Sequence, residues 1–343
     1  MTTTNASSSS AHSSGNGKAY IIILLGLLAH AFTAPMVKIA NFEPFTSVIL
    51  RCGIGALCML PFAFHEIKKL GALNKMGIVY SIVAGLFLGI DFCCFNLSIF
   101  YAGAGIASIL LNIQVIVLPA LAFIFDREKI EKSYYIVAPI MIIGVAMSGG
   151  LFDPPAPPVP GAPESVFGMD VTLFGTLTGA LSGFCYGFYL YFARKASRIN
   201  HGQFLQPMTL SSIAQLVAPV IAIVLLSHDR GFDVVHGMMA NGLVPAQGVG
   251  TDITAMNWVF AILLGSVGQA VVWTFIQYGS MRLEPTHVAG LLLLSPVATL
   301  AISFGLFHEV PSMLQLLGAV IVLLAVSYQN GLLKKVLPGK SAA

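Results

Sequence analysis

Asp91 stands near the middle of GLFLGIDFCCFNLSIF, residues 85–100, a run whose other side chains are almost all apolar. An acid at the centre of a membrane helix costs about 2.5–3.5 kcal/mol on insertion scales, so it must face a cavity, pair with a base or stay protonated. Three roles stay open for it: coupling to a proton or a substrate ammonium, a structural hydrogen bond to a neighbouring segment, or an acid at a cavity mouth. At 100° per residue its face also holds Phe87, Phe95 and Ser98, while Gly85, Gly89 and Asn96 fall on the other side. Glycines permit close helix contact, so the far side is the natural packing face and Asp91 looks toward an aromatic-walled space.

A second set lies in WVFAILLGSVGQAVVWTFIQYGS, residues 258–280. A straight helix brings Ser266, Gln269, Trp273, Gln277 and Ser280 within an arc of about 80°. Amides and an indole N–H in line suit a cavity wall; the same groups also serve as glue between membrane helices. Gly175, Gly179, Gly183 and Gly187 recur every fourth residue, a ridge for tight packing, with Ser182 and Tyr186 on part of the same side. His30 has the near-neutral pKa of a proton relay, and a neutral His bonded to a backbone carbonyl fits equally well. Lys38 reads as a snorkelling cation, and Arg51, deeper in its segment, is placed to meet a carboxylate through its planar fork. Asn112 and Gln114 point about 200° apart on a straight helix, so at most one faces a passage. The candidate substrate-binding residues are therefore Asp91, Phe87, Phe95, Tyr186, Gln269, Trp273, Gln277, His30 and Arg51. No catalytic residue, metal ligand or cofactor is expected. The loop segment HDRGFDVVH, from His228 to His236, matches no metal-ligand spacing.

The elements that carry these residues follow from composition. Of the 343 residues 57% are hydrophobic and 9% charged, with a mean hydropathy of +0.86, far from a soluble domain. Windows of about 20 residues, the length that crosses the hydrocarbon core as a helix, give ten spans. They lie near 19–37, 45–64, 77–99, 104–125, 134–151, 171–193, 205–226, 257–280, 286–307 and 313–333. The short alternating segments of an outer-membrane barrel are not seen. Of the 17 Lys and Arg, all but Lys38, Arg51 and Arg230 fall in the two tails and the even-numbered loops, which places both termini in the cytoplasm of a multi-pass plasma-membrane protein. The five cysteines lie in apolar segments and act as small hydrophobes. Lys18 followed by AYIIILLGLLAHAFTA has the look of a signal peptide; its removal would break the repeat described next, so it reads as an anchor.

Six prolines between Pro154 and Pro163 mark an extended linker. The chain divides into a disordered tail at 1–18, a five-helix repeat at 19–151, the linker at 152–170, a second five-helix repeat at 171–333 and a tail at 334–343. An offset of 181 residues lays Glu128 on Glu309, Ile136 on Leu317, Ala138 on Ala319 and Val145 on Val326. Five spans per repeat require the second half to be inverted, giving an all-α polytopic membrane protein of ten transmembrane helices.

Lys38 at the end of the first span, Pro44 and Arg51 in the second, Glu128 after the fourth, Glu309 after the ninth and Pro296 inside the ninth resemble the EamA branch of the drug/metabolite transporter superfamily, over residues 20–331. The resemblance implies a ten-helix carrier of small organic solutes driven by protons or exchange, often an exporter of amino acids or related metabolites. Val115 stands where Pro296 falls in the other half, Asp126-Arg127 precedes Glu128 where Leu-Gly is usual, and the first span carries Ala29-His30-Ala31 in place of a Trp-Gly pair.

The sequence thus reads as a secondary transporter, exporting a small metabolite such as an amino acid or derivative by alternating access. The alternative is an intramembrane enzyme or receptor for a small lipophilic ligand. A small-molecule substrate and the lipid bilayer are the expected partners; a homodimer is compatible and nucleic acid is not expected. There is no P-loop, and His65-Glu66 lacks the second His of a zinc protease.

Overall fold

The computed structural model describes residues 7–130, 132, 134–153, 165–200, 202–226, 253–280, 291 and 294–329. Most of these are helical. Helix α1 (Ser7–Ala31) begins upstream of the expected first span and passes through a turn at Phe32 into α2 (Thr33–Ala40), where Asn41 takes a left-handed conformation and ends it. Pro44, whose missing N–H costs nothing in a first turn, opens α3 (Pro44–Leu70). Asn74 caps α4 (Lys75–Ala102) by accepting from the Met76 N–H at 3.0 Å. Gly103 (φ 94°) breaks the chain before α5 (Ala104–Leu110), which continues through a tight 3-10 turn at Leu111–Ile113 into α6 (Gln114–Asp126). Helix α7 (Tyr134–Ser148) closes the first half.

The Pro-rich segment 154–164 lies outside the described residues, but the end of the expected linker is structured. Strands β1 (Ser165–Val166) and β2 (Met169–Asp170) pair antiparallel across Phe167 (φ 52°) and Gly168 (φ 74°). Two positive φ values in succession are the signature of a two-residue hairpin turn. Buried Val166 joins there the core cluster that holds Phe45, Val48 and Phe174. Asp170 then caps α8 (Val171–Ile199), accepting from the Thr172 and Leu173 N–H groups at 2.9 and 3.2 Å.

The second half continues with α9 (Leu205–Ala214) and α10 (Val217–Leu226). The next span is α11 (Ala255–Leu263), a π-helical stretch Leu264–Val271 and α12 (Val272–Ser280). Helices α13 (Leu294–Phe307) and α14 (Met313–Gln329) complete the described chain. Among the described residues seven helical segments are long and apolar enough to cross a membrane, and three shorter apolar helices, α7, α13 and α14, accompany them. The loop with His228 and His236, and the tails 1–6 and 330–343, lie outside the described residues.

Helix α8 packs along α4 and against α5 and α6; α1 packs along α12 and against α13. Helix α3 lies on α9 and the π stretch, α9 and α10 lie on α4, α5 meets α13 and α7 meets α14. The glycine ridge of α8 explains the closeness of its contacts. A Cβ on Gly183 would stand 2.8 Å from the Leu110 carbonyl oxygen, and one on Gly179 2.6 Å from Ser98 Oγ. The glycines of α4 do the same against α9 and the residues after it: a Cβ on Gly85 would stand 2.4 Å from the Ser211 carbonyl oxygen, and one on Gly89 2.5 Å from that of Gln215. No side chain larger than hydrogen fits these seams unless a backbone moves.

Charges gather at the two ends of the bundle. At one end Lys195 pairs with Asp126 at 2.7 Å, and Arg194 and Arg198 approach Glu128 at 3.7 and 3.6 Å. Gln203 donates to the carbonyls of Leu70 and Gly71, so the connections at 71–74 and 202–204 lie together, as do 127–130 and the end of α8. At the other end Lys38 pairs with Glu309 instead of standing free, and Glu309 also accepts from the Ala104 N–H at 3.2 Å in the first turn of α5. Asp153 accepts from Ser312 Oγ at 2.7 Å, which brings the start of the linker to this same end of the chain's second half.

Candidate functional site

A cavity of about 410 Å³ lies between the spans, within the size range of small-molecule sites. His30 and Thr33 reach it from α1 and α2, Phe95 from α4, Tyr186 from α8 and Trp273 from α12. The broken span α5–α6 supplies Ser108, Asn112 and Gln114, and α13 supplies Ser295, Pro296 and Thr299. Gln329 of α14 completes the polar part of the lining. Among the described residues no Asp, Glu, Lys or Arg lines it.

A second cavity, of about 370 Å³, lies toward the end where Arg194 and Arg198 stand. The two cavities share Tyr186, Leu190, Trp273 and Ile276, so these side chains form the wall between them. That wall is an aromatic cluster. Trp273 meets His30 at 5.9 Å, Tyr186 at 6.3 Å and Tyr189 at 6.0 Å between ring centres, all edge to face, and Tyr186 stacks on Tyr189 at 5.7 Å. Such geometries match the ring quadrupoles and hold the partition without a covalent link. His30 is further fixed by a 2.8 Å hydrogen bond between Nδ1 and Ser295 Oγ, a side-chain partner rather than a backbone carbonyl. Thr299 Oγ1, 3.0 Å from the Ala31 carbonyl oxygen, fastens α13 to the same helix.

Of the nine residues expected from sequence, His30, Phe95, Tyr186 and Trp273 line the first cavity. Asp91, Arg51, Gln269 and Phe87 do not. Asp91 is 2% exposed and accepts a hydrogen bond from Ser182 Oγ of α8. The space expected in front of its face is filled by that helix, because the glycine ridge lets α8 come close enough to cover it. Phe87 lies on the same seam, stacked on Phe188 at 4.6 Å and on Phe192 at 5.9 Å. Arg51, also 2% exposed, meets an amide instead of a carboxylate: its Nε donates to Gln269 Oε1 at 3.1 Å, and its guanidinium lies 4.0 Å over the Phe92 ring. Gln269 Nε2 donates in turn to Gln215 Oε1 at 3.1 Å, and Cys52 Sγ lies 3.1 Å from the same oxygen. Ser182, the donor to Asp91, lies one helical turn before Tyr186 on α8, which links this buried set to the cavity wall. The side chain of Gln277 lies outside the described residues.

The polar stripe of residues 258–280 is therefore split. Trp273 faces the cavity, Gln269 is buried against α3 and Ser266 donates to its own helix at the Ile262 carbonyl. The reason is the π stretch, whose wider rings do not advance 100° per residue. Asn112 and Gln114 both line the cavity, because the 3-10 turn between α5 and α6 interrupts the straight-helix phase. Asn112 donates back to the Ser108 and Ile109 carbonyls at 3.2 and 3.1 Å. Ser295, Thr299 and Gln329 were not anticipated. The Ser295-Pro296 pair inside an apolar run was the available signal, since proline frees backbone groups that then face a cavity.

Three of the residues that line this cavity also carry a buried polar atom with no hydrogen-bond partner among the described residues: Trp273 Nε1, Gln114 Oε1 and Gln329 Oε1. An unmatched buried donor or acceptor costs about 1–3 kcal/mol.

Residues 17–150 match the EamA-like transporter family. The residues Lys38, Pro44, Arg51 and Glu128, on which the resemblance was read, fall within that matched stretch, and the long apolar helices fit a multi-pass membrane protein. A solved structure described only as "Crystal structure of protein" shares the fold over 94% of this chain and 99% of its own, with a TM-score of 0.57 at 14% identity. In all, 28 chains of solved structures match. Comparison with curated proteins gives no match.

Proposed function

We propose that the protein is a secondary transporter that exports a small organic metabolite across the cytoplasmic membrane by alternating access, with both termini in the cytoplasm. The observation that carries this reading is the pair of cavities set back to back against the Tyr186–Trp273 wall, in a bundle whose first half is EamA-like. A site near the middle that communicates with one side at a time is what alternating access requires.

The arrangement of ten helices as two inverted repeats is supported by the packing. Advancing each span by five turns the contact of α4 with α8 into that of α12 with α1, and leaves α7 on α14 unchanged. The offset of 181 residues also relates three pairs of cavity-lining positions: Gln114 with Ser295, Val115 with Pro296 and Leu118 with Thr299. The ion pairs follow the same plan. Lys38 near the end of the first span meets Glu309 after the ninth, and the cations at the end of the sixth meet Asp126 and Glu128 after the fourth. These two sets are natural closures for the two sides, and the cation-rich end faces the cytoplasm by the positive-inside rule.

In this reading His30, Phe95, Tyr186 and Trp273 contact the solute, with Gln277 assigned to the same helix face. Arg51, Gln269 and Phe87 position them. Asp91 bridges α4 and α8 behind the wall, where gain or loss of its proton changes a bond between spans from the two halves. Proton-coupled flux through Asp91 is the expectation, with solute exchange as the other outcome. The test compares metabolites inside and outside cells with and without the protein, then measures flux of the responding solute in proteoliposomes at several pH values for wild type and Asp91→Asn. An unchanged pH profile in the variant removes Asp91 from coupling; a chemically altered solute overturns the transporter reading.

A further inference from the structure

We infer that the groove between α3, α4 and α9 holds an acyl chain of an anionic phospholipid whose phosphate is met by Lys68 and Lys75. The groove has a volume of about 270 Å³ and is walled by Leu60, Phe64 and Ile67 of α3, Ile78 of α4, and Leu210 and Ile213 of α9. Phe64, Ile67, Ile78 and Ile213 are all exposed, so it opens on the outer surface of the bundle, where a membrane protein meets lipid. Its two polar residues are already engaged. Gln206 Nε2 donates to the Gly71 carbonyl at 2.9 Å, and Thr209 Oγ1 to that of Leu205 at 2.8 Å. The remaining lining is hydrocarbon, which suits a lipid tail and offers nothing to a polar solute.

Charge at the groove's end selects the headgroup. Lys68 follows Phe64 by four residues and Lys75 precedes Ile78 by three, so each stands one helical turn beyond a groove residue, toward the connection at 71–74. Both are exposed, and among the described residues neither is paired with a carboxylate. The acid between them and the groove, Glu66, is withdrawn: it is 6% exposed and accepts from the N–H groups of Phe204, Leu205 and Gln206 at 3.1, 3.2 and 2.8 Å. Cation placement assigns this connection to the cytoplasmic side, where anionic headgroups are drawn to lysines next to a span. A zwitterionic headgroup brings its own ammonium to the same lysines and gains less. Helix α9 stands between the groove and the second cavity, with Leu210 and Ile213 lining the one and Pro207, Met208 and Ser211 the other. A lipid held here braces that cavity's wall from outside, whatever the cavity carries.

The experiment titrates the full chain in detergent with dioleoylphosphatidylglycerol or dioleoylphosphatidylcholine and counts bound lipid by native mass spectrometry. The two probes share their tails and differ in headgroup charge. Saturable binding of phosphatidylglycerol at lower concentration than phosphatidylcholine is expected. Lys68→Gln and Lys75→Gln should each cut that preference about fivefold, the effect of one charge near the membrane surface. Lys69→Gln is the matched control: it removes the same charge about 180° from Leu60 around α3 and should leave the preference unchanged. Ile213→Trp, at an exposed position, fills the slot and should weaken both lipids together. All four positions are exposed, so the variants should melt as wild type does. Equal affinity for the two lipids, an equal loss in Lys69→Gln and Lys68→Gln, or undiminished binding to Ile213→Trp overturns the proposal.

Discussion

Two polar regions lie side by side in this bundle and are built on opposite terms. In one, Asp91, Ser182, Arg51, Gln269, Gln215 and Cys52 form a buried set, and each reaches a partner. In the other, the first cavity is lined, among the described residues, by no Asp, Glu, Lys or Arg. A charge inside a membrane protein is usually read as the functional site. Here Asp91 and Arg51 are engaged between helices, while amides, hydroxyls, an imidazole and an indole line the first cavity.

The comparison breaks most visibly if the buried set proves dispensable. Arg51→Ala leaves Gln269 Oε1 without its donor and strips the cation from the Phe92 ring, and an unsatisfied buried acceptor alone costs about 1–3 kcal/mol. The monodisperse folded fraction in detergent should fall sharply, and retention of wild-type melting would contradict a structural role. Next in size is Gly183→Leu. A side chain there runs into the carbonyls of Leu110 and Leu111, and overpacking of this kind costs roughly 1–3 kcal/mol, read as a lowered melting temperature before any change in solute preference.

The cavity side should respond in the opposite sense. Trp273→Phe keeps a ring in the wall and removes the unmatched N–H, so melting should hold while solute affinity falls about five- to tenfold. A variant that melts early yet transports normally would move Trp273 into the buried set. The smallest effect belongs to Glu309→Gln. Its pair with Lys38 is about one quarter exposed, and such bridges contribute about 0.2–1 kcal/mol. Its value lies in flux: faster leak at unchanged melting would identify that end as a closure.

Much of the fold was legible because membrane spans carry strong signals. Long apolar runs, cation placement and the glycine ridge located the helices and predicted which sides pack: Gly85 and Gly89 meet the residues from Ser211 to Gln215, and the ridge of α8 meets α5 and α6, as their small size requires. The partial sight of the site has a physical cause as well. Helical-wheel arguments assume one pitch, and the two spans carrying most of the cavity's polar groups depart from it, by a 3-10 turn before Gln114 and a π stretch before Trp273. Asp91 was misplaced for a different reason. A wheel tells which way a side chain points; what stands there depends on a distant helix, and only contact between α4 and α8 settles it. The hairpin after the linker escaped because its turn places Phe167, a residue that seldom adopts positive φ, where Asn or Gly is usual.

The π stretch Leu264–Val271, which ends just before Trp273, also makes this span tolerant of a change in length. Each hydrogen-bonded ring there encloses one residue more than an α-helical ring. Deleting a single residue from 270–271 would use up that extra residue and return the span to ordinary winding, whereas the same deletion in a regular α-helix turns everything beyond it by about 100°. Gln269 would keep its place beside Arg51 and Trp273 its place in the wall. The wider ring is thus where this span can lose a residue without disturbing the seam that holds the bundle.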